Sequence, residues 1–197
     1  MSILGNLERL ELAIELLQRK ARVSIVHHET GVSRPKLRAL HRELHGRGAT
    51  CGQILPAIGG ATIETRYQQV HAGVFAAFYE IYAGPDLSRQ LDIRAVITAH
   101  DFYGVLLAQD PQIDCNSAWV IARDLRVGTS ELRSCGACEL RYLVSSASRL
   151  APTCPFCVLH PRRGRRGEPR LVLPAGLAAP SADADIDALL TPPGEDR

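Results

Sequence analysis

The sequence predicts a mainly α fold: a helical domain with a helix-turn-helix-like N-terminal segment, followed by a small C-terminal four-cysteine zinc ribbon or knuckle. Three observations carry this reading. Apolar residues recur at spacings of three and four through most of the first 130 positions, the period of a helix face. Gly31, Ser33 and Pro35 punctuate two short helical stretches, and two Cys-x-x-Cys pairs stand 15 residues apart. A length of 197 residues suits one domain plus a small module. The expected division is a helical domain at 1–130, a four-cysteine zinc module with a basic run at 131–173, and a flexible acidic tail at 174–197. A hydrophobic fraction of 46% is enough for a packed core, and an aromatic content of 5% makes that core one of Leu, Ile, Val and Ala.

Leu7, Leu10, Ile14, Leu17 and Ala21 form one stripe on a first helix, with Asn6 as a candidate cap. Leu12 and Leu16 widen that stripe beyond what one small core needs, as a partner-facing seam does. Between 23 and 46 a short helix ends at Gly31, which tolerates a left-handed turn. Ser33 then caps a second helix carrying Pro35 in its first turn. Val26, Val32, Leu37 and Leu40 close the pair, leaving Arg34, Lys36, Arg38, His41 and Arg42 on or near the outer face. This is the layout of a helix-turn-helix, whose second helix enters the DNA major groove. It departs from the usual pattern at His27, where such motifs carry a small residue.

Residues 46–63 are rich in Gly and Ala and read as a linker or extended excursion. Helical spacing resumes with Tyr67, Val70, Val74, Phe75, Phe78, Ile81 and Tyr82 up to Gly84-Pro85. A further helix follows Asp92 and stops before Pro111; another starts near Asp114 and carries Trp119. His71 and His100 fall inside these helices and read as core histidines.

Charge is segregated along the chain. Residues 1–48 hold nine basic and five acidic side chains, 49–133 six and nine, 134–170 seven and two, and 171–197 one and five. Two basic ends around an acidic middle suit two contact surfaces for a polyanion.

The strongest chemical signal is Cys135-Gly-Ala-Cys138 with Cys154-Pro-Phe-Cys157. Each Cys-x-x-Cys turn aims two thiolates at one point, and two such turns complete the tetrahedral sulfur cage that Zn²⁺ accepts. Four thiolates leave no open position, so one structural Zn²⁺ per chain is expected and hydrolytic chemistry is not. His160 is unnecessary as a fifth donor, and Cys51 and Cys115 lack partners at ligand spacing. Leu140 to Val144 reads as a strand between the pairs. Directly behind the last ligand, residues 162–170 hold five arginines, among them Arg162, Arg163, Arg165 and Arg166, suited to phosphates.

No Gly-x-Ser-x-Gly, P-loop, His-Glu-x-x-His or dinucleotide-binding glycine motif occurs, so nothing in the sequence argues for an enzyme. The longest uncharged stretch, 48–63, is interrupted by Gly52, Pro56, Gly59 and Gly60, so no membrane contact is expected. The N-terminus lacks a basic region leading into an apolar one, which points to the cytoplasm.

From about Leu7 to about Arg170 the chain resembles the FlhC family of flagellar transcriptional activators. The resemblance is carried by Leu-Arg-Ala-Leu-His-Arg-Glu-Leu44, Val70-His-Ala-Gly-Val-Phe75, Ala95-Val-Ile-Thr-Ala99 and Ala118-Trp119, followed by the two cysteine pairs. It implies a zinc site made by the four cysteines and assembly with the small helical subunit FlhD, two copies of this chain with four of the partner. It further implies binding to promoter DNA and activation of flagellar operons with the housekeeping RNA polymerase. The 46–63 excursion and the tail after 170 match poorly. A reading from another class is a zinc-ribbon subunit that binds protein or RNA without duplex specificity.

Overall fold

The computed structural model describes residues 3–49, 63–84 and 91–161. Seven helices and one two-stranded sheet are seen among them: α1 (Ile3–Gln18), α2 (Val23–Thr30), α3 (Arg34–His45), α4 (Arg66–Ala83), α5 (Ile93–Leu106), α6 (Cys115–Val127), β1 (Ser130–Ser134), β2 (Arg141–Ser145) and α7 (Pro155–Leu159). The fold is mainly helical with a small C-terminal cysteine hairpin, as the sequence predicts. The excursion lies largely outside the described residues, as do Cys51, the arginine run from Arg162 onward and the acidic tail.

Local chemistry sets most helix ends. Thr65 and Gln68 form a reciprocal capping box at the start of α4. Asp92 accepts from the amides of Arg94 and Ala95, and Asp114 from that of Ser117, starting α5 and α6. Gly31 closes α2 at φ 68°, donating its amide to His27 O. Two expected caps differ. Asn6 lies inside α1, which is already helical at Ile3. Ser33 occupies the N-cap of α3 without its hydroxyl accepting a bond, and Pro35 in the first turn leaves one amide fewer to satisfy.

Two apolar clusters build the interior. The larger one centres on α4, where Ala72, Phe75, Ala76 and Tyr79 are fully buried against Val96, Ala99 and Tyr103 of α5 and Ala118, Ile121 and Ala122 of α6. The smaller one joins Ala13, Leu16 and Leu17 of α1 to Val26 of α2 and Leu37 of α3, with Ile97 and Cys115 closing it from below. Only part of the expected α1 stripe is therefore internal: Leu16, Leu17 and Ala21 are buried, Leu10 and Ile14 half-buried, and Leu7 is 52% exposed. On α4 and α5, Phe78 and Phe102 meet edge to face with ring centres 4.9 Å apart, and Ile81 and Val105 lie exposed.

β1 and β2 pair antiparallel, Ser130 opposite Ser145 and Ser134 opposite Arg141. The hairpin docks on α4 at Gly73, where an added Cβ would sit 3.3 Å from the Leu143 amide. The Arg141 guanidinium pairs with Glu80 of α4 at 2.6 Å. His71 is buried in α4, as expected of a core histidine, whereas His100 of α5 is half-buried. His71 is bonded to the Tyr103 hydroxyl at 2.8 Å, and that oxygen also accepts from the amides of Gln112 and Ile113.

Leu37 is the single fully buried side chain of α3, so truncating it opens a cavity that α1 and α2 fill poorly. Leu37→Ala should lower the unfolding free energy by about 2–5 kcal/mol in urea titration. A change within error of zero would mean that α3 is not anchored through this side chain.

Candidate metal centre and nucleic-acid interface

The cysteine centre is assembled from three local devices. The turn between β1 and β2 carries Cys135 and Cys138; the Cys135 amide donates to Leu140 O at 3.0 Å and the Glu139 amide to Cys135 O at 2.8 Å. Glu139 takes the left-handed conformation, φ 63°, that this tight turn requires. The second pair straddles α7: Cys154 stands just before it and Pro155 opens it, so one helical turn returns Cys157 to the same side as Cys154.

The four Sγ atoms lie within 4.8 Å of one another. Cys135 and Cys157 are 3.7 Å apart, and Cys138 and Cys154 3.6 Å. A tetrahedral cage with metal–sulfur bonds of about 2.3 Å has sulfur–sulfur edges of about 3.8 Å. The donor set and spacing thus fit a metal ion of that kind. His160, exposed and outside the cluster, takes no part.

Backbone amides prepare the first thiolate. The amide of Ala137 points at the Cys135 sulfur at 3.4 Å. With that of Cys138, it holds the Cys135 thiol down to about 6. Bonds to the Cys138 and Cys135 sulfurs push the Cys157 thiol up to about 12, and burial raises Cys154. Crowded thiols resist carrying several charges together, and a bound cation relieves that repulsion. Cys115 differs: burial at the start of α6 pushes its thiol up to about 12, as expected of a core thiol.

The second candidate surface is α3. Arg34, Lys36, Arg38 and Arg42 are all exposed, and among the described residues none of their side chains forms a hydrogen bond or ion pair. Other arginines of the fold are engaged: Arg19 with Asp101, Arg94 with Glu15, Arg133 with Glu131 and Arg141 with Glu80. A groove of about 360 Å³ beside the α2–α3 turn is lined by both Arg9 and Lys36. Arg162, Arg163, Arg165 and Arg166 lie outside the described residues.

His41 is a correction to the expected outer face of α3. It turns inward, 9% exposed, with Nδ1 3.1 Å from Arg47 O, while His45 reaches Leu17 O at 2.8 Å. His27, the departure from the helix-turn-helix pattern, is accommodated because its Nδ1 lies 2.8 Å from Val32 O and ties the turn shut.

Sequence reasoning missed how α2 is fastened beneath this surface. The Trp119 indole N–H of α6 donates to Glu29 Oε1 at 2.8 Å, and the Arg22 amide donates to Asn116 Oδ1 at 2.8 Å. Each joins positions about ninety residues apart, beyond the reach of any local pattern.

The low Cys135 value has a direct chemical consequence: its thiolate predominates at neutral pH, whereas that of Cys157 does not. In metal-stripped protein at pH 7, iodoacetamide should modify Cys135 before Cys157, as read by peptide mass mapping. Equal rates at these two would contradict the amide-stabilised thiolate.

The family described as flagellar transcriptional activator (FlhC) matches the chain over residues 1–169. The chain is 28% identical over 170 residues to the flagellar transcriptional regulator FlhC of Cupriavidus metallidurans, covering 83% of this chain and 77% of that protein. Identity to the FlhC of Cupriavidus necator is 28% over 182 residues, with 90% and 86% covered. For the FlhC of Pectobacterium carotovorum it is 29% over 146 residues, with 72% and 73% covered.

Proposed function

The chain belongs to the FlhC family of flagellar transcriptional activators, and from that premise we propose that it is a DNA-binding subunit that activates flagellar operons together with an FlhD-type partner. The observation that carries the DNA reading is the exposed face of α3, where four cationic side chains stand without an acidic partner among the described residues. Unpaired guanidinium and ammonium groups have no acidic partner to give up on meeting phosphate, and release of counterions from DNA drives the association. Arg34, Lys36 and Arg38 open the helix that a helix-turn-helix lays in the major groove, so they suit base edges. Arg162, Arg163, Arg165 and Arg166 suit phosphates, which bind without a fixed register.

The four cysteines Cys135, Cys138, Cys154 and Cys157 hold one structural Zn²⁺ per chain in this reading. Bound zinc ties the hairpin turn to α7 and supplies folding energy to a segment with little core of its own. The metal's role is structural, since a closed sulfur cage leaves no position on it for substrate.

A partner is supported by the apolar surface left exposed, Leu4 and Leu7 on α1 and Ile81 and Val105 on α4 and α5. One major-groove helix also gains specificity when symmetry supplies a second half-site. The assembly is two copies of this chain with four of the FlhD-type subunit, acting at promoters with the housekeeping RNA polymerase in the cytoplasm. No helix among the described residues is long and apolar enough to cross a membrane.

The two basic sets should behave differently on promoter DNA in the co-expressed complex. Neutralising Arg162, Arg163, Arg165 and Arg166 should weaken binding to all sequences and flatten the salt slope by about 0.9 for each phosphate left without its cation. Arg34→Ala or Arg38→Ala should change which sequence is preferred, by about 1–3 kcal/mol at the affected base pair. Equal weakening on every sequence from both sets would remove α3 as the reader, and binding to single-stranded RNA alone would replace the promoter reading.

A further inference from the structure

The two arms of the cysteine centre are joined through one point on the helical body. Arg66 opens α4, its position fixed by the Thr65–Gln68 capping box immediately around it. Its Nη1 donates to Ala151 O at 2.8 Å and Thr153 O at 3.2 Å, the carbonyls that lead directly into Cys154. The same nitrogen donates to Gln69 Oε1 at 2.9 Å. One turn along, buried Gln69 donates from Nε2 to Leu143 O at 2.8 Å, in the strand that leaves the Cys135–Cys138 turn. Three oxygen acceptors thus share two guanidinium hydrogens, and a continuous chain of bonds runs from one cysteine arm to the other.

We propose that Arg66 is a positioning residue for the metal site, setting through Gln69 the separation between the Cys135–Cys138 arm and the Cys154–Cys157 arm. The inference rests on the reading that the four cysteines hold a metal. Outer partners that orient ligands tune metal affinity because they hold the donor atoms at bonding distance before the ion arrives. Arg141 provides the contrast. It also fastens the hairpin to α4, through Glu80, while the bonds to Ala151 O, Thr153 O and Gln69 come from Arg66.

Metal release from the full-length chain separates positioning from simple attachment. Zinc-loaded protein mixed with excess chromogenic chelator should release its ion about 10–100-fold faster in Arg66→Met than in wild type. Arg66→Lys, which keeps one cationic donor, should be about threefold faster than wild type, and Arg141→Met within about twofold of it. Loaded with Co²⁺, Arg66→Met should show a weaker thiolate-to-metal charge-transfer band per bound ion, at unchanged far-ultraviolet helicity. Wild-type release from Arg66→Met, or equal acceleration in Arg141→Met, would overturn the proposal. Should Arg66→Met not fold, Arg66→Lys decides, and release at the wild-type rate overturns it. A wild-type chain that takes up no Co²⁺ with a thiolate band would instead overturn the metal reading itself.

Discussion

The close passage of α4 across β2 is the constraint on which the rest of the molecule depends. Gly73 leaves the helix axis near enough for Gln69 and Glu80, one turn before it and two after, to bond the hairpin on the same face. Phe75 and Tyr79, turned away from Gly73, are buried in the core shared with α5 and α6, and Leu143 of β2 joins that same core. One helix therefore carries both the cysteine hairpin and the helical core. A side chain at 73 would press on the Leu143 backbone at 3.3 Å, so the hairpin would have to give by a few tenths of an ångström.

The N-terminal helices are mounted on the same core by polar ties rather than by area alone. Their apolar cluster reaches Ile97 of α5 and Cys115 of α6. Around it, Arg94 pairs with Glu15 at 2.8 Å and Arg19 Nε donates to Asp101 at 2.8 Å. Such exposed pairs add little stability each, about 0–1 kcal/mol, but they fix orientation. The two pairs run in opposite senses: Arg19 of the N-terminal block meets Asp101 of the middle block, and Glu15 of the N-terminal block meets Arg94 of the middle block, while the basic residues of α3 lie exposed.

Much of this was legible in the sequence because it is local. Asp92, Asp114 and Gly31 mark helix ends within a few residues, and the cysteine spacing specifies a sulfur cluster whatever surrounds it. What stayed hidden depends on contacts distant along the chain. Ser130 to Ser134 carries no alternating pattern; it becomes a strand because Arg141 to Ser145 lies beside it. Arg66 looks like any solvated arginine until the 151–153 carbonyls arrive 85 and 87 positions later. His41 reads as an outward basic residue because helical spacing places it beside Arg38 and Arg42, yet the Arg47 carbonyl draws it inward. Leu7, conversely, matches the core stripe by period but lies past the edge of the body that would cover it.

The role proposed for α3 is to read duplex DNA. A photo-crosslinking group introduced at position 38 of the chain, in complex with its co-expressed partner and a flagellar promoter, tests it most directly. Covalent attachment to bases of one major-groove segment in each half-site, mapped by primer extension, is expected of a reading helix. A complex that retains the promoter yet yields no attachment from position 38 would contradict it.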